Sequence, residues 1–321
     1  HVLFRRQRQM CIRDRILIMS KIVLITGASG LIGKALMKSL LDQGYFVHTL
    51  TTQKPKTNPK SNVKEFYWNP IGNEIDLQSL EGVESIVNLA GAPIAQRWTK
   101  AAKNRITNSR VKSLEVLAHN IKTHNFPIKH LISASAIGIY ANSITHYYEE
   151  KDAQFSSNSY LSSVVHRWEA AVRSFDMENL KVSILRIGIV LDAKKGALPK
   201  MMFPIRNYMG AVLGNGDQWQ SWIHIEDLVA LISHVLKLRI EGVFNAVAPN
   251  PVQQSEMTTA IGCVLKKPIV FPNVSESLLK LMLGEMSAIV LESQRVCAKK
   301  IQQTGFKFKF HEISAALKSL V

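Results

Sequence analysis

The stretch that decides the fold is IVLITGASGLIG, Ile22 to Gly33. Ile22 to Thr26 carries no charge and reads as a short buried strand. Gly27, Gly30 and Gly33 follow at three-residue spacing, and each omits a Cβ for its own reason. Gly27 permits a tight turn, Gly30 lets backbone approach a pyrophosphate, and Gly33 lets the next helix sit close on the strand. Ile32, Leu36 and Leu40 then recur every four residues as one buried helix face, and Gly44 stands where a helix should stop. A helix N-terminus here offers unpaired N–H groups and a positive dipole to phosphates. Gly27, Ser29, Gly30, Leu31, Ile32 and Gly33 are therefore candidate contacts to a dinucleotide. A tight strand-to-helix turn with no ligand is the alternative.

Outward from this turn, strands and helices alternate. Strands are expected at Phe46 to Leu50, Ser85 to Ala90, His130 to Ser135, Val182 to Ile187 and Gly242 to Ala248, with Thr51 to Ser61 as a loop. Helices are expected over about 100–124, 157–175 and 228–236. The fold class is α/β, a Rossmann-type doubly wound parallel sheet with a smaller C-terminal substrate lobe. Ala193 to Ser221 holds six glycines and prolines among aromatics and reads as a loop-rich segment closing over a site. The tail from Pro251 reads as helical with short β pieces at Phe306 to Phe310. The nucleotide domain is placed at 19–190, with 222–250 returning to it. The substrate lobe takes 191–221 and 251–321, including a small C-terminal domain at 274–321.

The end of the second strand bears on which nicotinamide cofactor fits. Proteins that prefer NAD usually place an acid there for the ribose 2′-hydroxyl. This chain has Leu50-Thr51-Thr52-Gln53-Lys54, with no acid. The hydroxyls of Thr51 and Thr52 and the charge of Lys54 suit a 2′-phosphate, so NADP is the expected cofactor.

Composition agrees with a globular protein, at 46% hydrophobic and 20% charged residues. No apolar run reaches the roughly 18 residues of a spanning helix, so no membrane partner is expected. The three cysteines show no CxxC spacing, which points to a reducing, cytoplasmic setting and gives no metal site. Residues 1–18, HVLFRRQRQMCIRDRILI, resemble translated adapter read-through and are expected to be non-native; an Arg-rich targeting peptide is the rival. They supply five arginines and one aspartate, leaving +12 of the formal +16 on the rest. Those lysines form no dense run, so nucleic-acid binding is a minor alternative.

Several further stretches narrow the kinship: VNLAGAPIAQRW (87–98), KNRITNSRV (103–111), SASAIGIY (133–140), WEAA (168–171), LRIGIVL (185–191), LGNGDQWQSWIHIEDL (213–228), FNAVAPNPV (244–252), GEMSAIVLESQRV (284–296) and GFKF (305–308). Together they resemble the epimerase family protein branch of atypical extended short-chain dehydrogenases/reductases, from about Lys21 to the end. That branch carries its own small C-terminal domain and has sometimes been labelled a cell-division inhibitor. The resemblance implies NADP binding and an epimerase- or reductase-like fold, with a substrate not established. It also implies that Leu89 and Ala90 pass beside the cofactor, that Arg110 reaches the phosphates, and that Val190 packs near the nicotinamide. A surface helix arginine and plain core packing are the alternatives for the last two. The branch's usual arginine in the second-strand loop falls on Thr52.

Short-chain dehydrogenases move a proton with a Tyr acid and a Lys four residues on, both on one helix face, aided by a Ser. Here Tyr160 and Ser135 take the Tyr and Ser places, but Val164 occupies the Lys place. A Tyr147–Lys151 match lies in an acidic loop and reads as coincidence. Ser135 and Tyr160 are the catalytic candidates, although packing is the favoured role for Tyr160. His224 and Asp227 read as loop-fixing groups, and the arginine that pairs a sugar-nucleotide diphosphate is missing from Trp219-Gln-Ser-Trp222. Two readings follow: an NADP-dependent epimerase or oxidoreductase acting on a small molecule, or a non-catalytic NADP-binding regulator tied to cell division. A homodimer is the expected assembly.

Overall fold

The computed structural model describes residues 21–55, 62–153 and 159–321. Residues 1–18 and most of the loop proposed for 51–61 lie outside the described residues. The first half runs β1 (Ile22–Thr26), α1 (Leu31–Asp42), β2 (Phe46–Thr51), β3 (Val63–Asn69), β4 (Glu74–Ile75), β5 (Val83–Asn88), α2 (Lys100–Thr123) and β6 (His130–Ala136). It continues through β7 (Tyr147–Tyr148), α3 (Tyr160–Arg173), β8 (Lys181–Ile187), β9 (Ile189–Leu191), α4 (Leu198–Arg206), β10 (Trp219–Gln220), β11 (Trp222–His224), α5 (Ile225–Leu238) and β12 (Gly242–Ala246).

The main sheet has the order β12-β8-β6-β5-β1-β2-β3-β4. All neighbours are parallel except β3 and β4, whose short antiparallel pairing ends one edge. This is the doubly wound parallel sheet expected from the sequence. The central strands are buried along nearly their whole length, which requires helices on both faces. Those layers are α1 with α5, and α2 with α3. From β1 the chain moves one way to β2 and β3, then returns to place β5 on the other side of β1. The resulting switch point, at the carboxyl ends of β1 and β5, is where open α/β sheets leave a crevice.

A second, smaller core joins Leu191, Leu198, Met202 and Ile205 to Val252, Met257 and Ile261. Residues beyond β12 supply β13 (Val252–Gln253), α6 (Gln254–Leu265), α7 (Glu276–Leu283), α8 (Ala288–Leu291), β14 (Arg295–Val296), α9 (Lys299–Gln303) and α10 (Ile313–Lys318). Side chains from 274–321 divide between the two cores. Val296, Ile301, Phe306 and Phe308 pack on the first, whereas Phe310, Ile313 and Leu317 join the second.

Two expectations are corrected and one strand is added. Residues 306–310 form no strand; their three phenylalanines are buried without β pairing. The segment from Ala193 to Ser221 contains a helix, α4, despite Pro199 and Pro204. Pro199 sits in the first turn, where the missing N–H has no intrahelical acceptor to lose. And β3 was not foreseen, because only Trp68 of its seven residues is buried and its charges hide the alternation.

Candidate functional site

The glycine turn occupies the switch point. Gly27 adopts φ +67°, and a Cβ there would meet the Leu89 carbonyl oxygen at 2.5 Å. A Cβ on Gly33 would meet the Gly27 oxygen at 2.4 Å, so α1 sits directly on the turn. Gly30 is different: a Cβ there meets only the Gly27 oxygen, at 3.2 Å, and otherwise faces open space. Gly30 is also the N-cap of α1, offers no side-chain cap, and no acid occupies the first turn. The leading N–H groups of α1, from Leu31 onward, are therefore left for a ligand.

One residue that the sequence reading passed over organises the facing wall. The Thr26 hydroxyl donates to Asn88 Oδ1 at 2.7 Å and accepts the N–H groups of Leu89 and Ala90, both at 3.1 Å. Asn88 Nδ2 in turn donates to Ser133 Oγ at 3.1 Å, tying β1, β5 and β6 together below the crevice. Leu89 and Ala90 are thus bent over Gly27. Thr51 ends β2, and its hydroxyl accepts the Gln53 N–H at 3.2 Å. Residues 51–55 form an acid-free rim on the other side of β1.

Arg110 projects from α2 across the backbone of Gly91, where a Cβ would lie 3.0 Å from the guanidinium carbon. Its Nη1 donates to the carbonyls of Ala92 (3.1 Å) and Ile106 (2.9 Å), and the group lies 5.0 Å from the Trp168 ring centroid. Burial pushes this guanidinium down to about 10, so it remains a cation at neutral pH. No carboxylate pairs with it among the described residues. The two carbonyls and the ring face are the partners of this half-buried cation. Ser109 accepts the Ala92 N–H at 2.8 Å and fixes the same loop.

Beside Arg110, at the carboxyl ends of β6 and β8, is a cavity of about 200 Å³. Ile137, Val164, Trp168 and Gly188 line it from the nucleotide domain, Trp219 from β10, and Ile289, Glu292 and Gln294 from the C-terminal segment. Arg110 and Glu292 are the only ionisable side chains among the described residues on its wall. Sequence reasoning missed Glu292, which falls inside the stretch GEMSAIVLESQRV (284–296) without a role assigned to it and reaches the cavity only through the fold.

The catalytic candidates are placed elsewhere. The Tyr160 hydroxyl donates to the Lys103 carbonyl at 3.1 Å, and its ring packs edge-on against Trp98, 4.8 Å between centroids. Burial raises its phenol above the ordinary range, outweighing the opposing pull of nearby Arg110 and Lys103. Ser135 is buried and donates to Glu169 Oε1 at 2.8 Å. Glu169, fully buried on α3, makes a two-pronged pair with Arg186 (2.8 and 3.0 Å) and also meets Arg173 at 2.9 Å. Burial pushes the Glu169 carboxyl up, but the Arg186 bond and charge more than reverse this and hold it below its usual range. Arg186 extends the network to Tyr140, whose phenol is pushed up to about 12 by burial. Removing one partner from so buried a pair costs about 3–5 kcal/mol. Neither Ser135 nor Tyr160 is among the cavity-lining residues.

Val190 is half-buried on β9, paired in register with Ile223 of β11. His224 caps α5 through Nδ1, accepting the Glu226 N–H at 3.1 Å, and stacks on Phe310. Asp227 accepts the backbone N–H groups of Lys309 (2.8 Å) and Phe310 (2.9 Å). Both side chains hold the tail. Tyr147 and Lys151 share no site, since exposed Lys151 pairs with Glu149. No group of three or more metal-type side chains occurs among the described residues. No described helix is long and apolar enough to cross a membrane.

A glycine cradle at the switch point of a parallel sheet, with a cavity beside it closed by a second lobe, defines a nucleotide-binding epimerase or dehydratase fold. The chain belongs to the NAD dependent epimerase/dehydratase family, whose profile matches residues 23–246. Residues 274–320 match a domain of unknown function, DUF1731. Among its relatives, "Epimerase family protein SDR39U1 homolog, chloroplastic" of Arabidopsis thaliana is 35% identical, covering 93% of this chain and 86% of that one. Epimerase family protein YfhF of Bacillus subtilis is 33% identical over 93% of this chain and 97% of its own length. The crystal structure of human epimerase family protein SDR39U1 (isoform2) with NADPH superposes with a TM-score of 0.81 at 27% identity, covering 93% of this chain and 98% of that one.

Proposed function

We propose that this chain binds NADP(H) in the cradle between β1 and β5 and acts as an epimerase or oxidoreductase on a small molecule held in the adjoining cavity. One observation carries the reading: the Gly30 position leaves open space above an uncapped helix terminus of twelve residues, at the sheet's switch point. In this reading Gly27, Ser29, Gly30, Leu31, Ile32 and Gly33 surround the pyrophosphate. Leu89 and Ala90 form the facing wall, Thr51 and Thr52 sit at the adenosine end, Arg110 answers phosphate charge, and Val190 packs towards the nicotinamide. The bound cofactor supplies two-electron redox chemistry at its nicotinamide ring. The chain's own groups bind it, shield the cavity and orient what enters.

Preference for NADP over NAD is supported by the acid-free rim at 51–55, where no carboxylate would repel a 2′-phosphate. The NADPH in the human relative's structure is consistent with this. Calorimetry with the two reduced nucleotides tests it. NADPH should bind more tightly than NADH, and equal affinities or no heat with either would overturn the reading. The free thiols of Cys263 and Cys297 support a reducing, cytoplasmic setting.

A second reading, an NADP-loaded regulator without turnover and linked to cell division, is favoured by the engaged hydroxyls of Ser135 and Tyr160 and by buried Val164 in the Lys place. NADPH oxidation against a panel of carbonyl compounds separates the two. Turnover that survives in Tyr160→Phe would remove that hydroxyl from the mechanism without restoring the regulator.

A further inference from the structure

Two glutamates of this chain sit in opposite electrical surroundings. Glu169 has two arginines and a serine hydroxyl and is built to stay ionised. Glu292, on the cavity wall, has only neutral donors. Ser159 Oγ gives Oε1 a hydrogen bond at 3.2 Å, and Gln294 Nε2 gives Oε2 another at 3.2 Å. The cavity wall it shares includes Ala288, Ile289, Leu161 and Trp219, and Arg110 as the other ionisable side chain.

We propose that Glu292 is the carboxyl that anchors a ligand oxygen in the cavity when it carries its proton, and that the cavity takes a small uncharged molecule with an acceptor oxygen, such as an aliphatic ketone. The proposal rests on the reading of the fold as an NADP-dependent one and names the substrate class for its cavity. A carboxyl that forms no ion pair and sits among mostly apolar side chains loses part of the hydration that favours its charged form. Burial accordingly pushes the Glu292 carboxyl above its ordinary range, against the smaller lowering from Gln294 and Ser159.

The charged groups on or near this wall have other partners than Glu292. Arg110 is held by Ala92, Ile106 and Trp168. Lys103 of α2 pairs with Glu285, joining that helix to the C-terminal segment. Arg295 stacks on Tyr147 and Trp219. None of these makes an ion pair with Glu292 among the described residues. Ser159 and Gln294 fix the carboxyl's orientation, so its single proton is left for a ligand oxygen. The volume of about 200 Å³ lies below the roughly 300–1,000 Å³ of drug-sized ligand sites, which argues against a sugar nucleotide filling it.

The test uses the full chain with ¹³C-labelled glutamate and cyclohexanone as the probe. The Glu292 resonance is assigned by its loss in Glu292→Gln. It should titrate above the unfolded-chain value, and rise further when cyclohexanone saturates the cavity. Cyclohexanone binding should weaken as pH rises through that titration. It should fall by about tenfold or more in Glu292→Ala, and persist without the pH dependence in Glu292→Gln, whose amide still donates. An ordinary or lowered titration of Glu292, no saturable ketone binding, or full ketone binding in Glu292→Ala would overturn the proposal. NADPH calorimetry on the same samples keeps the two readings apart. Normal NADPH binding beside an ordinary Glu292 titration overturns this proposal alone. Absent NADPH binding overturns the cofactor reading, and the carboxyl titration then decides this one by itself.

Discussion

At the scale of single residues the three glycines divide into two kinds, and the division yields a clean experiment. Gly27 and Gly33 are packed against backbone, so any Cβ there displaces the Leu89 or Gly27 carbonyl and disturbs the fold itself. Gly30 spares the fold, because its added methyl meets one carbonyl oxygen at 3.2 Å and otherwise points where a pyrophosphate would lie. Gly30→Ala should therefore keep the melting temperature within a few degrees of wild type, about 1 kcal/mol at most, while NADPH affinity falls about tenfold or more. Paired thermal melts and calorimetry check this, and equal losses of both would show the position to be structural. A companion change removes charge instead of space. Arg110→Met keeps the contact area over Gly91 and Trp168 but deletes the unpaired cation. NADPH binding should weaken and become less sensitive to salt, read from titrations at two ionic strengths. Much of this was legible in the sequence, since a glycine triplet between strand and helix has few other uses. Thr26 and Glu292 were not. A threonine at a strand end and a glutamate in a tail carry no spacing signal, and only the fold shows that one gathers three backbone and side-chain partners while the other faces a cavity.

At the scale of elements, the central strands were readable because burial on both faces leaves runs such as SIVNLA and HLISAS without charge. Edge strand β3 and proline-bearing α4 were not readable, because solvent on one side and a first-turn proline each erase the usual pattern. One element carries a pH liability inside this pattern. His130 opens β6 with its ring fully buried and Nε2 2.7 Å from Ser183 Oγ. Ser183 donates onward to the Ile240 carbonyl, so Nε2 holds the imidazole proton, and Nδ1 has no partner. Burial drives the imidazole down to about 4 in the folded state. The unfolded chain takes up a proton near pH 6.5, which the folded chain refuses until about 4. Stability should therefore be at its full value above about pH 6.5 and fall as pH drops towards 4, on the order of 2–3 kcal/mol for this group. His130→Gln should flatten that part of the profile. Denaturant melts between pH 7 and 4 on both proteins provide the check, and parallel profiles would show that His130 titrates normally.

The whole molecule depends on a tail that returns across the chain to complete both cores. The first core needs Val296, Ile301, Phe306 and Phe308, the second needs Phe310, Ile313 and Leu317, and the cavity needs Ile289, Glu292 and Gln294. Between the two cores the backbone of the tail is held by a buried carboxylate: Asp227, 2% exposed at the first turn of α5, accepts the N–H groups of Lys309 and Phe310. Asp227 is also placed to favour the helix dipole. Asp227→Ala strands both N–H groups without an acceptor, at a cost of about 1–3 kcal/mol for each that stays buried. The tail can avoid that cost by leaving, because its N–H groups then meet water. The variant should accordingly become sensitive to protease between residues 296 and 321, and lose ketone binding in the cavity. NADPH should still bind, since the hydrogen bonds that set Thr26 and Arg110 come from β5, the loop after it and α2 rather than from the tail. Asp227→Asn gives the graded case: one side-chain oxygen still accepts, so cleavage should be intermediate. Loss of NADPH binding along with the tail would show instead that cradle and cavity are a single cooperative unit, with the C-terminal segment holding the switch point open from a distance.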